Sequence, residues 1–272
     1  GEAIFAKGNE AADRGDFTAA VELFQQAHTL GVPGALLNLG NAYWALEDLQ
    51  HADDAFRKGW LEGDEDAGFN LAVLLAGQGL TTAREVYRSL AANGYVKAAL
   101  NEALILKDAG ELEKAKTILT PFVDHDATEM AAVGLLGSIH LKLGEEAEAE
   151  PLLRRAMNDD PEARADYGRL LARQHRMDEA QAVWEAGALN DETESLIPLA
   201  NLASSQGDSK RSAELNRRAY ELGDGHAALN LAIDLWTEGN RQEALVWARR
   251  ASRAGDVRAT DWLESLESNH ED

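Results

Sequence analysis

Small residues recur along this chain at intervals of 31 to 34 residues. One series of glycines and alanines has successive spacings of 32, 32, 31, 34, 31, 32 and 32 residues: Gly8, Gly40, Ala72, Ala103, Gly137, Gly168, Ala200 and Ala232. A second series follows it with the same period: Ala20, Ala52, Ala83, Ala115, Ala149, Ala180, Ser212 and Ala244. A fixed period in this range is typical of repeat architectures. The sequence therefore predicts eight copies of one structural unit.

Each repeat is predicted to contain two helices. Within a repeat the apolar residues follow helical spacing, as in Leu36, Leu39 and Tyr43. A turn signal divides most repeats into two halves: Gly15, Gly110, Gly144, Gly207 and Gly239. Small residues at the two fixed positions allow the paired helices to approach closely, and bulky residues fill the adjoining space: Phe24, Phe56, Tyr87, Leu119, Leu153 and Trp184.

These patterns resemble the tetratricopeptide repeats. The order of small, small, bulky and small residues in Gly8, Ala20, Phe24 and Ala27 is similar to that family, and Ala91-Ala92-Asn93-Gly94 is similar to the related Sel1-like repeats. The resemblance covers nearly the whole chain and implies an all-α, right-handed α-solenoid of about eight helical hairpins. The whole chain, 1–272, is expected to form one repeat array. Its repeats are expected at about 1–31, 32–64, 65–95, 96–127, 128–161, 162–191, 192–225 and 226–256.

The C-terminal repeats depart from this pattern. Asn216 and Ala248 stand where a bulky residue of the second helix is expected. We therefore expect Leu215 and Trp247 to supply the missing packing. After repeat eight, residues 257–268 read as one further helix that covers the open end of the array, as capping segments of solenoids do.

The composition of the chain limits which classes of partner are expected. The chain carries 48 acidic and 26 basic residues, a net charge of −22, and both halves of the sequence are acidic. Such a surface repels phosphate groups, so neither nucleic acid nor an anionic membrane is an expected partner. No apolar run is long enough to span a bilayer. The absence of cysteine leaves the compartment open, with a cytoplasmic location favoured.

Catalytic and metal-binding patterns were sought and not found. The seven histidines show no HExxH spacing, and the sequence has neither a Gly-rich phosphate loop nor a nucleophile elbow. The triplet Asp124-His125-Asp126 is more typical of a solvated turn than of a metal site. The sequence therefore predicts a protein that is not an enzyme and holds neither a cofactor nor a metal.

Asparagine recurs two residues before the small residue of the first helix, at Asn38, Asn70, Asn101 and Asn230. On a helix this offset is about 200°, which turns the amide away from the face that packs against the second helix of the repeat. The tetratricopeptide resemblance implies that this position lines an inner groove, where an asparagine ladder grips the backbone of an extended peptide. An amide suits that task because it both donates and accepts hydrogen bonds. We expect these amides to face solvent when no ligand is bound.

Several neighbours complete this predicted site, and one alternative stays open. Additional contacts are assigned to side chains next to the ladder: Asn41, Trp44, Phe69 and Leu100. The ladder is interrupted in the middle repeats, where the matching positions hold Leu135, Asp166 and Pro198. In the alternative, each asparagine bonds a neighbouring helix and shapes the superhelix.

Two further features were considered as binding elements. Arg169 and Arg173 lie four residues apart in repeat six, where two guanidinium groups suit a carboxylate or phosphate unless acidic neighbours neutralise them. Trp44 and Trp236 occupy equivalent positions that border the concave surface in the family, although core packing is the alternative for both.

We therefore predict a non-enzymatic module that binds a protein or an extended peptide. Acidic C-terminal tails of chaperones are disfavoured, because Phe5, Asp66 and Asn70 stand where the family's carboxylate clamp has basic residues. Two other classes remain: a regulatory sensor domain of a larger signalling protein, and a scaffold that binds folded partners through its seams. An effector domain encoded beside residue 1 or 272 would favour the sensor. The start at Gly1 rather than Met suggests a cleaved tag or an excised piece of something longer.

Overall fold

The chain folds into helices connected by short turns. A computed structural model describes residues 1–79, 81–123 and 129–268, the last three by their backbone alone. These residues form 17 α-helices and one short 3-10 helix, and they contain no strand. The prediction of an all-α solenoid of paired helices is confirmed. The triplet Asp124-His125-Asp126 lies outside the described residues.

The contacts divide the chain into two compact units, and unit 1 comprises Gly1–Thr128. It holds the helix pairs of the first four predicted repeats, followed by the 3-10 helix Thr120–Phe122. The helices of unit 1 are α1 (Glu2–Asp13), α2 (Phe17–Thr29), α3 (Ala35–Ala45), α4 (Leu49–Leu61), α5 (Glu65–Gly77), α6 (Thr82–Ala92), α7 (Val96–Asp108) and α8 (Leu112–Leu119). Each helix packs against the one that follows it in sequence.

Unit 2 comprises Glu129–Asp272 and begins at the predicted start of repeat five. It holds four helix pairs and the additional C-terminal helix. Its helices are α9 (Met130–Leu143), α10 (Glu146–Ala156), α11 (Pro161–Arg173), α12 (Met177–Leu189), α13 (Thr193–Ser205), α14 (Ser209–Glu221), α15 (Ala227–Thr237), α16 (Arg241–Arg253) and α17 (Val257–Ser268). The first helices of successive repeats also touch, since α9 contacts α11 and α11 contacts α13.

Aspartate side chains begin several helices, as expected from N-cap chemistry. Asp16 accepts a hydrogen bond from the backbone N–H of Ala19 at 3.1 Å, and Asp64 accepts one from Ala67 at 3.0 Å. Glycine takes a left-handed conformation in most turns within repeats, for example Gly15 with φ of 78°. Glu47 takes the same conformation with φ of 60° although it is not glycine. The turns therefore keep one geometry even where the glycine signal is missing.

The small residues of the first helices face bulky residues of the second helices. A Cβ built on Gly40 would lie 2.9 Å from Cζ of Phe56 and closer still to two other ring carbons. Gly8 is covered in the same way by the ring of Phe24. Because real Cβ atoms do not approach so closely, glycine sets the distance between these helices. The periodic small residues thus determine the packing that the sequence predicted for them.

In the C-terminal repeats, polar side chains form part of the packing between helices. Asn216 is buried, and its amide donates to Oδ2 of the buried Asp234 at 2.9 Å. Ser212 donates to the same oxygen at 2.7 Å. Trp247 fills the space beside Ala248 as expected, with its ring 5.0 Å from that of Tyr220 in an edge-on arrangement. In repeat seven, a buried polar network therefore occupies the place where repeats one to six hold a bulky side chain.

Helix α17 packs on the last repeat. Its Trp262 meets Trp236 of α15 edge-on at 5.4 Å between ring centroids. Ala259 is buried, and the hydroxyls of Thr260 and Ser252 lie 2.7 Å apart. These contacts give α17 the position expected of a capping helix.

Replacing Trp262 by alanine is expected to reduce the free energy of unfolding by about 1–2 kcal/mol, since it removes apolar contact and one aromatic pair. Urea denaturation followed by far-ultraviolet circular dichroism measures this change. Asp261→Ala on the exposed side of α17 is the control and should leave the midpoint unchanged. An unchanged midpoint for Trp262→Ala would show that α17 contributes nothing to the stability of the array.

Candidate functional site

Two pairs of asparagines connect successive repeats of unit 1. The amide nitrogen Nδ2 of Asn38 on α3 donates to Oδ1 of Asn9 on α1 at 2.9 Å. Nδ2 of Asn70 on α5 donates to Oδ1 of Asn41 on α3 at 2.8 Å. Asn38 and Asn41 are one helical turn apart on α3. The four amides therefore follow one another across three consecutive first helices.

The pairing follows from the repeat geometry. In each bond the acceptor stands one residue after the small residue of its helix, and the donor stands two residues before the small residue of the next repeat. Since the small residues are 32 apart, both partners are separated by 29 residues. Asn9 and Asn41 thus supply the acceptor position. The acceptor position is visible in the sequence as an asparagine directly after Gly8 and Gly40. Its hydrogen bond to the ladder residue of the next repeat was not predicted.

The expectation that the ladder amides face solvent is wrong for Asn38 and Asn70. Both are only partly exposed, and both are already hydrogen-bonded to the preceding repeat. The helical offset that turned them away from the seam within a repeat turns them toward the first helix of the neighbouring repeat. The alternative of bonding to a neighbouring helix therefore describes these two residues when no ligand is present.

The other two ladder residues behave differently. Asn101 is partly exposed and hydrogen-bonds the hydroxyl of Tyr87; burial raises the pKa of that hydroxyl, and the Asn101 bond opposes the rise. Asn230 makes no side-chain hydrogen bond within the part of the chain that the structure describes. Asn201, which stands in its repeat where Asn9 and Asn41 stand in theirs, makes none either. The third potential amide pair is therefore not formed.

Apolar side chains flank the amides of unit 1. Trp44 is partly exposed and meets the buried ring of Phe56 edge-on at 6.1 Å. Phe69 is partly exposed and lies 5.6 Å from the ring of Tyr95, and Leu100 is also partly exposed. We call this surface the amide face and define it by ten residues: Phe5, Asn9, Leu37, Asn38, Asn41, Trp44, Phe69, Asn70, Leu100 and Asn101.

Trp236, the counterpart of Trp44 in repeat eight, packs against α17. Besides its contact with Trp262, its ring lies 5.2 Å from the guanidinium carbon of Arg241. These contacts within unit 2 favour the packing interpretation that the sequence left open, and the ring remains partly exposed.

Arg169 and Arg173 both lie on α11 and both form ion pairs. Arg169 donates to Asp166, one turn earlier on the same helix. Arg173 lies 2.9 Å from Oε1 of Glu146 and donates to the carbonyl oxygen of Leu141 at 3.2 Å. The acidic neighbours that the sequence analysis considered are thus in place. Both guanidinium groups also line a groove of about 470 Å³ formed with residues of α12 and α13.

Metal-binding and membrane-spanning features were sought in the described residues. Within residues 1–79, 81–123 and 129–268, no three histidine, aspartate or glutamate side chains are grouped so that they suit a metal ion. Over the same residues, no helix combines the length and the apolar character that crossing a bilayer requires.

Comparison with known proteins agrees with the repeat pattern. Family models described as tetratricopeptide repeat match residues 5–60, 100–161 and 225–250, which together make up just over half of the chain. Among curated protein sequences, no significant match was found.

Several solved structures share the fold at low sequence identity. A tetratricopeptide repeat protein from Parabacteroides merdae is 17% identical with a TM-score of 0.60, and the match covers 86% of this chain and 98% of that one. Yeast Tom70 is 13% identical with a TM-score of 0.62, over 94% of this chain and 59% of Tom70.

A third structure has Sel1-like repeats. It is c5321, described as a protective antigen of uropathogenic Escherichia coli strains, and it is 17% identical with a TM-score of 0.66, over 90% of this chain and 59% of c5321. The matches to Tom70 and c5321 thus span about three fifths of those longer chains. From the family models, which together match just over half of the chain, the chain belongs to the tetratricopeptide repeat family.

Proposed function

We propose that this protein is a non-enzymatic interaction module that binds an extended, uncharged segment of a partner protein along the amide face. Membership of the tetratricopeptide repeats supports a role in protein–protein interaction. The observation that carries the finer proposal is the row of amides on the first helices of three successive repeats, flanked by partly exposed apolar side chains.

The paired amides keep hydrogen-bonding capacity for a ligand. Each asparagine side chain has two N–H donors and an oxygen with two lone pairs. The bond between Asn38 and Asn9 uses one donor and one lone pair, so Oδ1 of Asn38 and both N–H groups of Asn9 remain. Asn41 is exposed, and its Nδ2 is likewise unused by the bond to Asn70. The pairing holds the amides in fixed orientations, which lowers the entropy lost when a peptide backbone binds them.

Charge limits the kind of segment that suits this surface. The side chains that define the amide face are amides and apolar groups, so they offer no charge to a ligand. A charged ligand side chain would lose hydration there without gaining a partner. An acidic tail also meets a strongly negative protein, and Asp66, at one of the family's clamp positions, accepts a hydrogen bond from Tyr95 instead of offering positive charge. The proposed ligand is therefore apolar and uncharged.

The spacing of the helices suggests the length of the segment. Packed helices lie roughly 8–10 Å apart, which corresponds to about three residues of extended chain at ~3.3 Å each. Asn38, Asn70 and Asn101 stand on three successive first helices. A segment of about nine residues thus spans the face.

Phage display of nine-residue peptides against the immobilised full-length chain is expected to enrich uncharged, apolar sequences. A selected peptide is then titrated by isothermal calorimetry against the wild type and against Asn38→Ala/Asn70→Ala. Each lost hydrogen bond weakens binding by about 0.5–1.5 kcal/mol, so the double variant is expected to bind about five- to a hundredfold more weakly.

The matched control is Asn158→Ala/Asn190→Ala, which removes two exposed amides from unit 2 and should bind like the wild type. Melting temperatures separate ligand contact from architecture, because Asn38→Ala/Asn70→Ala also breaks both amide pairs. A variant that melts at lower temperature yet binds the peptide as tightly as the wild type would show that the amides only connect the repeats.

A further inference from the structure

A second groove in unit 2 offers different chemistry from the amide face. It has a volume of about 470 Å³, which is within the range of ligand sites in proteins. Its walls are mainly apolar and include Met177 of α12 with Ile197 and Leu202 of α13. Met177 is among the exposed large hydrophobic residues of the protein, and the other two are partly exposed. The groove therefore has room for an apolar side chain and apolar surface to receive it.

Two arginine side chains of this groove are more exposed than the carboxylate side chains that they pair with. The side chains of Arg169 and Arg173 are 48% and 50% exposed, whereas those of their partners Asp166 and Glu146 are 10% and 31% exposed. Since a guanidinium group has five N–H donors, both arginines keep donors beyond the bonds already made. An incoming group therefore finds more arginine surface than carboxylate surface at these pairs.

An amide without a side-chain hydrogen bond in the described residues also lines this groove. Asn201 of α13 lines the groove, is exposed, and makes no side-chain hydrogen bond within the described residues. In unit 1 the same repeat position is occupied by Asn9 and Asn41, whose oxygens are both taken by the next repeat. The Asn201 amide can therefore both donate to and accept from the backbone of a bound chain.

We propose that this groove binds a segment of a partner protein in which an apolar side chain is adjacent to a carboxylate. The apolar side chain packs against Ile197, Leu202 and Met177, and the carboxylate accepts hydrogen bonds from Arg169 and Arg173. Asn201 holds the backbone between them. A cationic ligand is disfavoured, because its charge would face two exposed arginine side chains, whereas the carboxylates paired with them are less exposed. The site shares no residue with the amide face. It selects an acidic residue, whereas the amide face selects uncharged residues.

The test compares two capped peptides that differ in one charge: acetyl-Leu-Leu-Asp-Leu-amide and acetyl-Leu-Leu-Asn-Leu-amide. Each is titrated to 10 mM into the 15N-labelled full-length protein and followed by amide chemical shifts. The aspartate peptide is expected to shift resonances of α11, α12 and α13, and to bind at least threefold more tightly than the asparagine peptide. Raising NaCl from 50 to 500 mM should remove most of that preference, because exposed ion pairs are screened by salt.

Substitutions identify the residues that are responsible for the preference for the aspartate peptide. Arg169→Gln/Arg173→Gln is expected to abolish the preference for aspartate, and Ile197→Gln should weaken both peptides. Arg249→Gln/Arg253→Gln, which changes two exposed arginines four residues apart on α16, is the charge-matched control and should behave like the wild type. Asn38→Ala/Asn70→Ala should also leave these titrations unchanged, which separates this site from the amide face. The proposal fails if no shifts appear at 10 mM, if the shifts lie outside the groove, if the two peptides bind equally, or if the arginine variant keeps the preference.

Discussion

Replacing Phe56 by alanine is expected to reduce the free energy of unfolding by about 3–5 kcal/mol, the range typical of removing a buried aromatic side chain. The ring is completely buried, and it packs against Gly40 of the same repeat and Trp44. Its cluster continues into the next repeat through Leu71 and Leu75. Because glycine faces the ring, α3 has no side chain at that position to fill the cavity that alanine would leave.

Urea denaturation followed by circular dichroism measures this loss, with the midpoint of the transition as the quantity compared. Leu61→Ala is the matched control, since it also removes a large apolar side chain from α4 but from a position that is 80% exposed. The control should change stability by no more than about 0.5 kcal/mol. A Phe56→Ala variant as stable as Leu61→Ala would mean that the seam between α3 and α4 is not held by this ring.

Replacing Gly40 by alanine is the second large effect that we expect, and its sign opposes helix propensity. In a helix interior, alanine is favoured over glycine by about 1 kcal/mol. Here the new Cβ overlaps the ring of Phe56, and overpacking of a filled core typically costs about 1–3 kcal/mol beyond such gains. The net result should be a destabilised protein.

Gly77→Ala is the control for this substitution. Gly77 ends α5, and a Cβ added there meets no atom within 4 Å. That variant should be unchanged or more stable by up to about 1 kcal/mol. Combining Gly40→Ala with Phe56→Leu tests the mechanism, because a smaller side chain at 56 should recover part of the loss. If Gly40→Ala alone raises stability as Gly77→Ala does, the helices of repeat two do not depend on glycine for their separation.

The sequence was sufficient to predict the paired helices because their signals are local and repeated. The small residues, the bulky residues one helix later and the glycine turns are all signals within single repeats. The small residues recur in all eight copies, and the other two signals recur in most of them. Even the turn at Glu47, which lacks glycine, keeps the left-handed conformation that its neighbours require. Helix capping by Asp16 and Asp64 adds a further local signal. Agreement of this kind fixes a fold with few alternatives.

The chemistry of the candidate sites was less accessible from the sequence. Asn38 and Asn70 were identified as ladder residues, but their partners Asn9 and Asn41 lie 29 residues away on other helices. The exposure of Arg169 and Arg173 relative to Asp166 and Glu146 was likewise not readable from the helical spacing. These properties depend on which helix lies opposite, and not on the helix that carries the residue.

The sequence alone determined the pair of helices in each repeat and the contact between them. An apolar period of 3.6 residues and a small residue at a fixed position specify both without reference to distant residues. Only the tertiary structure decided which polar groups of unit 1 are paired across repeats and which groups of unit 2 remain available to a ligand. The physical reason is that a polar side chain has several staggered rotamers of similar energy. The choice among them is made by the donors and acceptors that the neighbouring repeat brings within hydrogen-bonding distance, as Asn9 does for Asn38 and Asp234 does for Asn216.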